Sequence, residues 1–278
     1  LELENVYWRI WSAIPSREKK KIKLGAFLAG GLFLGITKTP WRKILAVLAP
    51  NTLFLIDTFC PQINLFAKPF WRGKSQRSLA LSFDDGPDPF ITPHLVELLE
   101  RYQARATFFQ LVEQARRYPQ ILKFIKASGH EIGLHGLNHR KVHLMGQRQF
   151  RKNIEKGRKQ LEDLLGEMVL WYRPPHGFLR FDQYLILKKL GLKVAGWTIG
   201  VWDTDENVTA KEIFERLRKS VRPGDIVLLH DSVAERHRPQ TAMLKALDVF
   251  LASLSTQGIK AVTISELWEE TKSGQKIQ

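Results

Sequence analysis

From residue 79 onward, apolar positions fall into short runs that switch between two periods. Residues 79–83 alternate and end in a polar cluster, as a strand feeding a functional loop does. Helical spacing follows over 93–102, then a second strand at 106–109 and a second helix at 119–128. The third strand is 130–134, and a long charged helix occupies 149–165. Strands at 169–172 and 193–198 enclose a helix at 181–190. A helix near 210–221 leads to a sixth strand at 225–229, and a helix at 241–255 to a last strand at 261–264.

Strands alternating with helices predict an α/β domain whose parallel sheet is covered by helices. About seven such units fit a closed or nearly closed barrel better than an open sheet. In either architecture a site is expected in the loops after the strand C-termini.

Composition narrows the class. The 278 residues are 44% hydrophobic and 26% charged, enough for one large core or two modest domains, which excludes a low-complexity disordered chain. A single cysteine, Cys60, makes no intramolecular disulfide and excludes a thiolate-rich zinc site. The formal charge of +15 is uneven. Residues 1–78 carry 13 basic and 4 acidic residues, and the remainder 30 and 24. That skew predicts that the N-terminal part faces something anionic.

Within that part, Lys19, Lys20, Lys21 and Lys23 lead into a thirteen-residue uncharged apolar run over 24–36. A second run, 44–59, is interrupted by Pro50, Asn51 and Asp57. Both fall short of the ~20 apolar residues that span a bilayer. A charged cluster before a short apolar run also resembles a signal peptide, but no small-residue cleavage site follows Ile36. Trp8, Trp11, Trp41, Phe70 and Trp71, interleaved with Lys and Arg, suit a bilayer interface. The expectation is a re-entrant or interfacial membrane anchor in 24–59, with a helical hairpin packed on the protein as the alternative. Basic clusters surround both runs, so they set no orientation, and no nucleic-acid module is recognisable.

The candidate chemistry lies at four strand ends. Ser82-Phe83-Asp84-Asp85-Gly86-Pro87 places adjacent carboxylates that point in different directions, so one can ligate a metal while the other stays free as a base. An ordinary acidic turn is the bland reading. His135 and His139 stand at i, i+4, a spacing that on a helical turn suits two ligands of one metal, although His130 and His143 show that histidine is locally plentiful. Arg173-Pro174-Pro175-His176-Gly177 is a rigid stretch that can hold Arg173 and a backbone N–H in place. Val227 to Leu229 is an apolar strand that delivers His230 and Asp231 to the rim. One Asp and two His make a mixed oxygen and nitrogen site with open positions, suited to catalytic zinc or another borderline divalent ion.

Over about 79–267 these ordered motifs resemble the polysaccharide deacetylases with a NodB-homology domain, also called carbohydrate esterase family 4. The resemblance implies a distorted (β/α) barrel of about seven strands (NodB-like). It implies Asp85, His135 and His139 as metal ligands and Asp84 as the base, oriented by Arg173. His230 is then the general acid, supported by Asp203. Pro175 and His176 lie at the oxyanion and substrate wall, and Leu228 lines the acetyl pocket. The family's Asp-x-x-Asp-Trp appears as Gly200-Val201-Trp202-Asp203-Thr204, so the expected Trp is lost and Trp202 or Phe178 is its candidate replacement. Gly136 replaces the usual Ser or Thr, and His176 the usual Tyr.

The expected function is metal-dependent removal of an acyl group, most simply acetyl, from an amino sugar in a polysaccharide or lipid-linked glycan. The alternative is a membrane-associated carbohydrate-binding pseudoenzyme. One divalent ion is expected, zinc first, with cobalt, nickel or manganese as alternatives. The expected partners are an N-acylated amino-sugar glycan and a membrane surface, without nucleic acid. Three regions follow: 1–78 basic and apolar, 79–268 catalytic, and 269–278 a polar tail.

Overall fold

A computed structural model describes residues 67–233 and 240–273. The predicted anchor at 24–59 lies outside them. Among the described residues no helix is long and apolar enough to cross a membrane.

Eight parallel strands form one curled sheet. They are β1 (Ser78–Asp84), β2 (Ala106–Leu111), β3 (Glu131–Gly136), β4 (Trp171–Tyr172), β5 (Lys193–Val194), β6 (Ile199–Gly200), β7 (Ile226–His230) and β8 (Lys260–Val262). Seven follow the order β5-β4-β3-β2-β1-β7-β6, and β8 pairs with the start of β1. The α/β architecture of about seven curled parallel strands expected from the sequence is therefore present, as a half-barrel whose path ends at β5 and β6. β1 is buried along its whole length. Leu79, Leu81 and Phe83 belong to the large core under the helices, whereas Ala80 joins Phe70, Phe109, Trp171, Val262 and Leu267 inside the barrel. Strand alternation therefore aims Ser82 and Asp84 inward as well.

The outer layer comprises α1 (Ile91–Arg101), α2 (Val112–Arg117), α3 (Pro119–Ala127), α4 (Gln147–Leu165), α5 (Phe181–Lys189), α6 (Ala210–Ser220) and α7 (Thr241–Thr256). In α4 the buried residues Phe150, Ile154, Gly157, Leu161 and Leu165 recur at helical spacing, and the opposite face is charged. α6 starts on a capping box, in which Thr209 Oγ1 accepts from the Glu212 N–H and Glu212 accepts from the Thr209 N–H.

Several sequence expectations are corrected. The run 193–198 is not one strand. Residues 193–194 pair with β4, the chain then crosses the barrel's seam, and 199–200 pair with β7. The last strand ends at Val262, and Ile264 opens helix α8 (Ile264–Ser273). A second capping box, with Thr263 N–H bonded to Glu266 and Glu266 N–H to Thr263, starts that helix. Ile264 and Leu267 plug the barrel floor, and residues 269–273 are helical rather than a tail.

Phe70 and Trp71 are also reassigned from a bilayer interface to the protein. Phe70 N–H donates to Val194 O at 2.8 Å, and Gly196 N–H donates to Phe70 O at 2.9 Å. Gly73 N–H reaches Gly224 O at 2.7 Å, beside an Arg72–Asp225 ion pair. The stretch 69–73 thus links β5 to the turn before β7, beside the seam where β5 and β6 share no ladder. Residues 69–73, which precede the expected boundary at 79, pack with the sheet.

Candidate active site

Asp84 ends β1, and its Oδ1 accepts from Arg173 Nη1 at 2.8 Å. Arg173 follows β4 and is fully buried. The same Nη1 reaches Ser82 Oγ at 2.8 Å, Nη2 reaches Gly196 O at 2.8 Å, and the guanidinium lies 4.2 Å from the centre of the Phe109 ring. A planar fork held on three oxygens and an aromatic face has a single orientation, and so does the carboxylate it holds.

Asp85 would point to the helix side if β1 continued. Its φ of +76° turns the chain instead, and its carboxylate joins the barrel mouth. Asp85 Oδ1 lies 3.4 Å from His135 Nε2 and 3.4 Å from His139 Nε2. The adjacent carboxylates thus differ in their nearest partners, while His135 Nε2 also lies 3.9 Å from Asp84 Oδ2. Burial acts to raise the Asp85 carboxyl, but the His135 hydrogen bond and the charges of His139, His135 and His230 outweigh it and hold the group below the usual carboxylate range.

His135 lies on the last turn-ward stretch of β3 and His139 on the bend beyond it. The i, i+4 spacing therefore works through a strand and a chain reversal rather than a helical turn. His135 Nδ1–H donates to the Arg173 carbonyl at 2.9 Å, which leaves Nε2 facing Asp85. One donor atom from each of Asp85, His135 and His139 lies within 4.8 Å of the others. Metal–ligand bonds of about 2.0–2.1 Å in a tetrahedral site give ligand–ligand edges near ~3.4 Å, so this donor set fits one small divalent cation. His130 and His143 are buried elsewhere. His130 Nδ1 accepts from the Ala106 N–H, and burial above all pushes its pKa down to about 4.

His230 ends β7. Its Nδ1 pairs with Asp203 Oδ1 at 3.0 Å, and its backbone N–H donates to Asp203 Oδ2 at 2.7 Å. Burial opposes protonation, but the Asp203 charge and hydrogen bond, with Asp85 and Asp84, push the imidazole up to about 9. The mouth therefore holds a carboxylate and an imidazole, each oriented by a buried partner.

The substrate-side residues are distributed around this centre. Leu228 is half-exposed between fully buried Val227 and Leu229, on the strand face that carries His230. Pro175 is buried, and His176 has a φ of +60° with its ring centre 4.2 Å from that of His139. Trp202 is half-buried with a φ of +56°, directly before Asp203. Phe178 is buried against His143 and does not replace the missing Trp in the mouth. Ser82, Phe109 and Gly196, the other holders of Arg173, carry no sequence signal for that role because each contact is tertiary.

A family model described as polysaccharide deacetylase matches residues 72–195. A peptidoglycan-N-acetylglucosamine deacetylase from Bacillus cereus is 34% identical over 197 residues, covering 69% of this chain and 89% of that protein. The chain belongs to the polysaccharide deacetylase family. Among solved structures, a peptidoglycan N-acetylglucosamine deacetylase matches this polysaccharide deacetylase with a TM-score of 0.67 at 29% identity, over 71% of this chain and 91% of that one. A family 4 pseudoenzyme from Bacillus anthracis matches with a TM-score of 0.66 at 24% identity, over 73% of this chain and 70% of that one. Nearly equal scores for an enzyme and a pseudoenzyme mean that fold likeness does not decide turnover. The residues at the mouth carry that argument.

Proposed function

We propose that this family member hydrolyses the acetamide of N-acetylglucosamine units in a glycan, with peptidoglycan as the first candidate. The observation that carries the reading is the division of labour between neighbours: Asp84 is gripped by Arg173 while Asp85 faces two imidazoles. Asp85, His135 and His139 would hold a divalent ion, zinc first, which would supply Lewis acidity and lower the pKa of water toward neutrality. Asp84, aimed by Arg173, takes a proton from the attacking water. In this reading the backbone N–H at His176 donates to the oxyanion, and Leu228 lines the space for the acetyl methyl group. As the C–N bond breaks, His230 gives its proton to the leaving amine, Asp203 supports the imidazole, and acetate is released. A sugar-binding pseudoenzyme, which loss of the family's Trp and Tyr would fit, would need neither the Arg173–Asp84 pair nor the Asp203–His230 pair.

The test is acetate release from N-acetylglucosamine oligomers and peptidoglycan fragments, using protein stripped of metal and then reloaded with zinc or cobalt. Metal-restored release that disappears in Asp84→Asn is expected. Stoichiometric metal binding without release from any of these substrates would overturn the reading.

For residues 24–59 we propose an interfacial membrane anchor, which would keep the substrate, polymeric or lipid-linked, close to a bilayer. The support is the basic and apolar pattern of 19–59. Full-length protein should float with anionic vesicles, and loss of flotation on replacing the 24–36 run with polar residues would tie binding to it. Parent protein that stays with the soluble fraction would sink the anchor.

A further inference from the structure

Asp231 has no part in the chemistry above, yet it is fully buried beside the catalytic strand ends. It follows His230, while Asp84 is in register with His230 across the β1–β7 ladder. Asp231 therefore stands level with the turn at Asp85, on the side away from the barrel mouth. Its Oδ2 accepts from Thr92 Oγ1 at 2.6 Å, and Thr92 Oγ1 in turn accepts from the Asp88 N–H at 2.8 Å. Asp88 Oδ1 accepts from the N–H groups of Phe90 and Ile91, both at 2.8 Å, which ties the start of α1 to the same loop. The loop 85–92 is thus folded over one buried carboxylate.

The contact with Gly86 is the tightest part. A Cβ at Gly86 would overlap both oxygens and the carboxyl carbon of Asp231. The carboxylate accordingly packs directly against the Gly86 backbone, one residue from the metal-facing Asp85. Asp231 Oδ1 has no hydrogen-bond partner among the described residues. Burying a carboxylate with one oxygen in that state is costly, and an aliphatic side chain would fill the space without the cost. On the other side Gly86 O accepts from the Leu111 N–H at 3.0 Å, so the turn is clamped between β2 and β7.

We infer that Asp231 is a positioning residue, a buttress beneath Gly86 that holds the left-handed turn at Asp85 and so pre-forms the three-ligand metal site. The inference rests on the reading of Asp85, His135 and His139 as that site, and its test does not need turnover. Metal-stripped full-length protein is titrated with zinc against a chromophoric chelator, with thermal unfolding of each stripped variant in parallel. Supporting groups around metal ligands change affinity by about 10–100-fold when removed. Asp231→Ala should weaken zinc binding within that range, and Asp231→Asn, which keeps the shape and the bond from Thr92, should stay within about threefold of the parent. Thr92→Val covers the case in which Asp231→Ala fails to fold, and should weaken zinc binding while unfolding cooperatively. Zinc affinity unchanged in both Asp231→Ala and Thr92→Val would overturn the buttress, and so would equal weakening in Asp231→Asn and Asp231→Ala. A parent protein that binds no zinc would instead sink the metal-site reading, before any variant is compared.

Discussion

Arg173 and Asp84 meet at 2.8 Å although their strands, β4 and β1, are separated by β3 and β2 in the sheet. The pair spans the inside of the curl, so it reports on closure as well as chemistry. Lys at 173 keeps the charge but cannot reach Asp84, Ser82 and Gly196 at once. Arg173→Lys should therefore lower kcat/KM by roughly 100-fold through misplacement of the base. Arg173→Ala leaves a buried carboxylate alone and should cost about 3–5 kcal/mol of stability. Steady-state kinetics and urea unfolding check the two, and wild-type kinetics in Arg173→Lys would remove the orienting role.

The adjacent carboxylates make opposite predictions. Asp84→Asn should retain metal and lose activity by a factor of about 10²–10⁴, the usual contribution of general base catalysis. Asp85→Asn should instead lose metal, because Asp85 alone of the two lies 3.4 Å from both imidazole Nε2 atoms. Elemental analysis after dialysis, alongside activity, separates them. Loss of metal in Asp84→Asn would reverse the assignment.

As the proposed acid, His230 should set the alkaline limit of activity. Its pKa is raised to about 9, with Asp203 the largest raising cause after the opposing effect of burial. The acid form is present below that pKa and is lost as pH rises through it, so kcat/KM should fall on the alkaline side. A bound cation offsets the charges of Asp85 and Asp84, which places the limb of the loaded enzyme below 9. Asp203→Asn removes the main charge and should move the limb to lower pH by about one unit or more. A limb that does not move in Asp203→Asn would show that another group titrates there.

What the sequence made legible follows from distance along the chain. The strand ends carrying Asp84, Asp85, His135, Arg173 and His230 are local motifs, each readable without a partner. Helix α2 was missed because it starts directly at the end of β2, with no loop to punctuate it. The box of Thr263 and Glu266 was a readable helix start, overlooked because 261–264 also scans as a strand. The seam was illegible for a different reason. Phe70 pairs with Ala195 across 125 positions, and the aromatic and basic composition around Trp71 matches a bilayer interface as well as a barrel wall. Burial of Phe70 against Trp171 and Trp268 decides between them. The grip on Arg173 was half legible, since Asp84 belongs to a motif while Gly196 contributes only a carbonyl.

Gly196 also explains why that seam matters to the site. Its carbonyl accepts from Arg173 Nη2, and a Cβ placed on it would run into the Trp71 ring. Gly196→Ala should therefore cost about 1–3 kcal/mol as an overpacking change. Activity should fall too, because relief of the clash moves the carbonyl that holds Arg173. Trp71→Ala opens the space that the new methyl group needs. Made on that background, Gly196→Ala should cost markedly less, with a coupling of about 0.5–3 kcal/mol in a double-mutant cycle by urea unfolding. Additive effects would mean that Trp71 does not press on Gly196 in solution. A coupling in both stability and kcat/KM would show that the residues before β1 hold the guanidinium that aims the base.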